Sequence, residues 1–236
     1  LLPGFQYGGM EHTGATLYND RRIFLEKGAG ISEKMNRFCL IAHETAHMWF
    51  GDYVTMKWFD DVWTKEVFAN YFAALISANK YPDVDNSFTF LDYASAAYTV
   101  DRTEGANAIK QPLANLKDAG LIYGNIIYNK APIVMEMLAR KMDPESFKAG
   151  IREYLKEYAY GNADWEGLIT ILDKYTDDNL SAWSHNWVNK PGMPHYKVDS
   201  LSQLDLTRLN YSLYVIPKEL STSIMNNVIE EYITHS

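Results

Sequence analysis

The run His43-Glu44-Thr45-Ala46-His47 constrains this chain more than any other feature. It falls in a window with helical periodicity. The flanking residues predict a helix over 32–50, with Ser32 as its cap, Glu33 in its first turn and Gly51 just past its end. At about 3.6 residues per turn, positions four apart lie one above the other, so both imidazoles leave the same face. Two nitrogen donors at that spacing suit a zinc ion, which takes four ligands and, in a catalytic site, leaves one position to water. Glu44 is turned about 100° around the helix from His43, where its carboxylate reaches the water rather than the ion.

A third ligand must come from elsewhere in the chain. Residues 53–58 alternate, with Val54, Met56 and Trp58 on one face and Thr55 and Lys57 on the other, which reads as a short strand or extended linker. A second helix is expected over residues 64–79, ahead of Tyr81-Pro82. Glu66, nineteen residues after His47, lies on it and completes a set of two histidines and one glutamate if the helices cross. Asn70, one turn further, offers an amide oxygen to the free N–H of a ligand histidine. The bare five-residue motif also arises by chance on helices; Glu66 at a workable spacing lifts it above that background.

The similarity extends well beyond the motif. Residues 43–52 (HETAHMWFGD), 54–58 (VTMKW) and 63–71 (WTKEVFANY) together closely resemble the gluzincin aminopeptidases of the aminopeptidase N type, nearly continuously over about thirty residues. That resemblance implies one Zn2+ held by His43, His47 and Glu66, with Glu44 as general base. It also implies an α+β, thermolysin-like (zincin) catalytic domain over residues 1–195, mainly helical with a small N-terminal sheet. Gly8-Gly9-Met10-Glu11-His12 resembles the family's Gly-x-Met-Glu-Asn motif, with His12 in place of asparagine. The likeness implies that Gly8, Gly9 and Met10 edge the cleft while Glu11 binds the free α-amino group of a peptide substrate. A fixed carboxylate there pairs with an ammonium and sets the register of cleavage, and internal peptides lack that anchor.

Residues 128–138 (YNKAPIVMEML) are similar to the family's Tyr-Glu-Lys-Gly-x-x-Val-x-x-Met-Leu pattern, with departures at Asn129, Ala131 and Pro132. Tyr128 then takes the place of the tyrosine whose hydroxyl stabilises the tetrahedral oxyanion, with Tyr123 as the rival. The implied activity is zinc-dependent removal of N-terminal residues from peptides. Two other readings stand beside it: a thermolysin-type endopeptidase in which Glu11 is structural, and an inactive scaffold that binds peptide ends. Family members also carry a β-rich domain before the catalytic one and further domains after it. The expectation is therefore a chain without those flanking domains, in which residues 196–236 begin a following domain or linker.

Composition narrows the remaining classes. The 236 residues are 47% hydrophobic, enough for one large globular domain, or one domain plus a fragment of a second. The net charge is −8 and no basic stripe interleaves with aromatics, which argues against nucleic-acid binding. No apolar run approaches the ~20 residues of a transmembrane segment. Cys39 is the single cysteine, in an apolar helical run, so no internal disulfide forms and a buried, inert thiol is expected. One cysteine leaves cytoplasmic, periplasmic and secreted settings open.

Other expectations are structural. A hairpin should join residues 15–18 and 22–25 across Asn19-Asp20-Arg21, and helices should cover 87–101, 129–141, 145–158, 165–175 and 180–189. Pro132 requires its helix to begin within the preceding turn, which puts Tyr128 near that helix's start. Trp49, Phe50, Trp58 and Trp63 read as core around the site, and Asp60-Asp61 as a helix start or surface pair. His185, His195 and His235 match no catalytic position.

Overall fold

The computed structural model describes residues 1–82, 84 and 87–192. Residues 196–236 lie outside them, as do His195 and His235. The described chain is mainly helical with two small sheets, the α+β character expected.

Strand β1 (Gly9–Met10) pairs antiparallel with β2 (Leu17–Tyr18), Gly9 facing Tyr18 and Met10 facing Leu17. The hairpin expected across Asn19-Asp20-Arg21 is absent. Instead the Asn19 side chain accepts the Arg21 backbone N–H at 3.0 Å and starts a short helix, α1 (Asp20–Ile23), where the second strand was expected. A short amide side chain satisfies a helix's free N–H groups as readily as it turns a hairpin, so the local pattern was ambiguous. The partner of β2 is the segment that leads into Glu11.

Helix α2 (Ile31–Ala46) begins where the Glu33 carboxylate accepts the Gly30 backbone N–H at 2.9 Å, so Gly30 rather than Ser32 is the cap. Beyond Ala46 the chain reverses sharply. Asp52 donates its N–H to the His47 carbonyl at 3.0 Å, and Gly51 takes φ +135°, a conformation strained for any residue with a Cβ. Strand β3 (Val54–Met56) follows, then α3 (Trp63–Lys80) and α4 (Ser87–Asp101). A π-helical turn (Ile126–Lys130) runs directly into α5 (Ala131–Lys141), and α6 (Pro144–Glu157) comes next. Strand β4 (Gly161–Ala163), α7 (Trp165–Leu172) and α8 (Leu180–Trp187) complete the described elements. The parallel partner of β3 is β4, Val54 facing Gly161 and Met56 facing Ala163.

The core is built largely beneath α3. Trp63, Phe68, Met135, Leu138, Trp165 and Leu172 are fully buried, and the Trp63 and Trp165 rings meet at 4.7 Å between centroids. Each such side chain contributes about 1.5–3 kcal/mol relative to exposure, enough to fix the placement of α3. Helix α2 packs along α3, setting their polar faces side by side. Phe50 is buried and stacks on Phe68 at 4.2 Å, as a core residue should. Trp49 and Trp58 depart from expectation, being 50% and 43% exposed. The Trp58 indole donates to the Leu113 carbonyl at 2.7 Å and so covers a loop instead. Asp61 is no surface residue: it is buried and pairs with Lys110 at 3.0 Å.

The π turn carrying Tyr128 is anchored independently. Lys130 is buried, and its ammonium bonds Asp101 at the end of α4 at 2.9 Å and the Gly192 carbonyl at 3.1 Å. Removing either partner of such a buried pair leaves an uncompensated charge, so the turn is held firmly. Among the described residues no helix is long and apolar enough to cross a membrane.

Candidate active site

The helical period brings His43 and His47 to one face of α2, and α3 delivers Glu66 opposite them. The two Nε2 atoms are 3.1 Å apart, and Glu66 Oε2 lies 3.5 Å from that of His43 and 3.7 Å from that of His47. The far side of each ring is engaged. His43 Nδ1 is 2.9 Å from Asn70 Oδ1, and His47 Nδ1 is 3.0 Å from the Phe50 carbonyl. Amide and carbonyl oxygens only accept, so in the neutral rings both Nδ1 atoms carry the proton and both Nε2 atoms present bare lone pairs. The orientation of the Asn70 amide is set in turn by its Nδ2, which donates to the Tyr128 carbonyl at 3.3 Å.

Two lone pairs and a carboxylate therefore converge on one point, an arrangement that repels itself unless positive charge sits there. Ligand atoms around a tetrahedral zinc, with bonds of ~2.0–2.1 Å, are separated by about 3.3 Å, close to the three distances here. The donor set thus fits a zinc ion in both geometry and chemistry. Ionisation behaviour agrees at Glu66 and His47. Burial pushes Glu66 up, but the interactions with His43, Lys65 and His47 outweigh it and hold the carboxyl down at about 2. Burial pushes both imidazoles toward neutrality. It prevails at His47, whose pKa falls, whereas Glu66 overcomes it at His43, whose pKa rises.

Glu44 is buried, with 4% of its surface exposed, and its Oε2 has no hydrogen-bond partner. Its pKa is raised to about 7, first by burial, with the charges of Glu11 and Glu66 acting in the same direction against those of His43 and Lys65. A Cβ added at Gly9 would overlap the Glu44 carboxylate, so β1 presses against this side chain with bare backbone. Glu11 follows directly, and a carboxylate oxygen of it lies within 4.8 Å of a His47 ring nitrogen and a Glu66 carboxylate oxygen. Thr13 Oγ1 donates to Asp52 at 3.0 Å and ties the loop after β1 to the turn that ends α2.

Gly8, Gly9, Met10, Glu11, Tyr123 and Tyr128 line one cleft of about 920 Å³ together with the histidines, Glu44, Glu66 and Asn70. The two tyrosine rings lie 6.1 Å apart and nearly parallel. Burial, and next the charge of Glu66, raises the pKa of Tyr128, so its hydroxyl remains a proton donor. Cys39, expected to be buried, is only partly so and lines this same cleft. His12 and His185 are exposed.

Lys65 was missed in the sequence. Its ammonium bonds the Glu11 carboxylate and lies 2.8 Å from Glu66 Oε1. A signal was present, because a lysine in the first turn of a helix opposes the macrodipole and calls for a local anionic partner.

Compared with known proteins, residues 1–187 match the peptidase family M1 domain. The chain belongs to peptidase family M1. The match ends at Trp187, the last residue of α8, and includes every residue of the cleft. The M1 chain is 34% identical over 197 residues to aminopeptidase N of Lactococcus lactis subsp. cremoris, covering 82% of this chain and 23% of that one. It is 30% identical over 194 residues to probable aminopeptidase 2 of Sulfurisphaera tokodaii, covering 82% and 25%. Leucyl aminopeptidase of Saccharolobus solfataricus is 28% identical over 218 residues, covering 90% and 27%. The chain thus spans about a quarter of the length of these curated relatives.

Proposed function

We propose that this chain forms the chemical core of a zinc-dependent aminopeptidase with a thermolysin-like catalytic domain, removing the N-terminal residue from peptides. The observation that carries the reading is the placement of Glu11 beside the converging His43, His47 and Glu66. A bound Zn2+ would be held by those three residues, where it would polarise the scissile carbonyl and acidify water. Glu44, buried and without a hydrogen-bond partner on Oε2, takes the proton of the attacking water and passes it to the departing amine. Tyr128 donates its hydroxyl hydrogen to the oxyanion. Glu11 pairs with the substrate ammonium and places the scissile bond one residue away.

The exopeptidase reading is tested by comparing a free peptide with its N-acetylated form. The free peptide should be cleaved and the blocked one left intact, and equal cleavage would favour an endopeptidase. Glu11→Gln removes a hydrogen-bonded charge worth about 1.5–3 kcal/mol, so kcat/KM should fall roughly ten- to hundred-fold with zinc content unchanged.

The role of Asn70 is separable. Asn70→Leu removes the acceptor from His43 Nδ1, and zinc affinity measured by chelator competition should weaken by about 10–100-fold. Asn70→Asp keeps the acceptor and should retain the ion. Equal zinc affinity in the leucine variant would remove Asn70 from the site.

A further inference from the structure

We propose that Lys65 is an internal stand-in for the substrate's N-terminus: in the empty cleft its ammonium fills the Glu11 site, and an incoming peptide amine displaces it. The inference rests on the aminopeptidase reading, since it concerns the carboxylate that reading assigns to the amine. The geometry is direct. Lys65 Nζ sits on the Glu11 carboxylate and is also 2.8 Å from Glu66 Oε1, with the lysine and glutamate side chains 17% and 7% exposed. Both the resident group and the incoming one are primary alkylammonium ions, so they make the same bonds to the same oxygens.

The exchange has a physical rationale. Glu11 and Glu66 approach within 4.8 Å of each other, and a half-buried and a buried carboxylate at that distance repel unless a cation lies between them. Lys65 supplies that cation while the cleft is empty. When a peptide ammonium reaches Glu11, Lys65 keeps its bond to Glu66 Oε1, so neither carboxylate is left bare during the swap. It follows that Lys65 competes with every amine that binds, and that its removal strengthens amine binding. A lysine serving only as a structural clamp that holds Glu11 in place makes the opposite prediction. Removing it would then disorder Glu11 and weaken binding.

Isothermal calorimetry on the zinc-loaded protein separates these, with isoamylamine as a non-hydrolysable primary amine and N-acetylisoamylamine as its blocked control. Lys65→Met should bind isoamylamine about ten-fold more tightly than the unsubstituted protein, and Lys65→Gln should behave similarly. Against a Glu11→Gln background the Lys65 substitution should change nothing. Affinity that is unchanged or weaker in the lysine variants overturns the displacement proposal. Isoamylamine binding that is indifferent to Glu11→Gln overturns the amine-anchor reading beneath it. A crystal structure of the unsubstituted protein with isoamylamine bound tests the same point without a variant. Nζ should have left Glu11 and remained on Glu66, and Nζ still seated on Glu11 beside the bound amine would sink the idea.

Discussion

Replacing Glu44 by glutamine is expected to leave zinc in place and slow turnover by about 10²–10⁴-fold, the usual range for a lost general base. The substitution keeps size and shape and removes only the ability to take a proton. Zinc should stay because the three donors assigned to it, His43, His47 and Glu66, are untouched. The pH profile gives a second reading. Burial first, then the Glu11 and Glu66 charges, raises the carboxyl to about 7 against the pull of His43 and Lys65. A dication held by the neighbouring histidines stabilises the carboxylate and draws that value down. A base must be deprotonated to act, so kcat/KM should rise with pH along an acid limb centred at or below about 7. In the glutamine variant that limb should vanish, leaving a flat residual rate. Near-normal turnover, or an unchanged acid limb, would exclude Glu44 as the base.

What could be read in the sequence divides along a physical line. Placements set by local geometry were legible: His43, Glu44 and His47 share one stretch of helix, and the helical period alone sets their directions. Glu66 was legible because only one short strand and a turn separate its helix from α2. Features that depend on distant partners were not. Strand β4 is three residues long, begins with Gly161 and pairs with β3 from far along the chain, so locally it reads as a turn. The second strand of the expected hairpin was lost to a helix cap at Asn19, a choice settled by which partner β2 found.

Lys65 illustrates the limit most clearly. Its sequence neighbour Glu66 was assigned, yet the carboxylate it bridges to, Glu11, arrives from a strand at the other end of the site. The π turn before α5 was equally hidden. A helix start near Tyr128 follows from Pro132, but widening of the turn to i→i−5 bonding reflects packing between α4, α5 and the buried Lys130–Asp101 pair.

That turn underlies the second large effect. Tyr128→Phe should lower kcat by about 10²–10³-fold, equivalent to roughly 2.7–4 kcal/mol, with KM and zinc content little changed, because the lost bond forms only as charge develops on the oxyanion. Tyr123→Phe is the control, since its ring lies 6.1 Å away and lines the same cleft. The backbone favours Tyr128. The Tyr128 carbonyl accepts from Asn70 Nδ2 at 3.3 Å, and Pro132, four residues on, has no N–H to compete for it. Asn70 Oδ1 in turn takes the His43 Nδ1 proton. The tyrosine's backbone is thereby tied through one amide to a proposed zinc ligand, and Lys130 fixes the turn from the other side. Among the described residues, the side-chain hydrogen bonds of Asn70 go to His43 and Tyr128 and not to Tyr123. A donor needed only in the transition state must already be in place when charge appears, and this chain of bonds provides that. If Tyr123→Phe proves the slower variant, the oxyanion donor moves to Tyr123, and the Tyr128–Asn70 tie then serves only to orient His43.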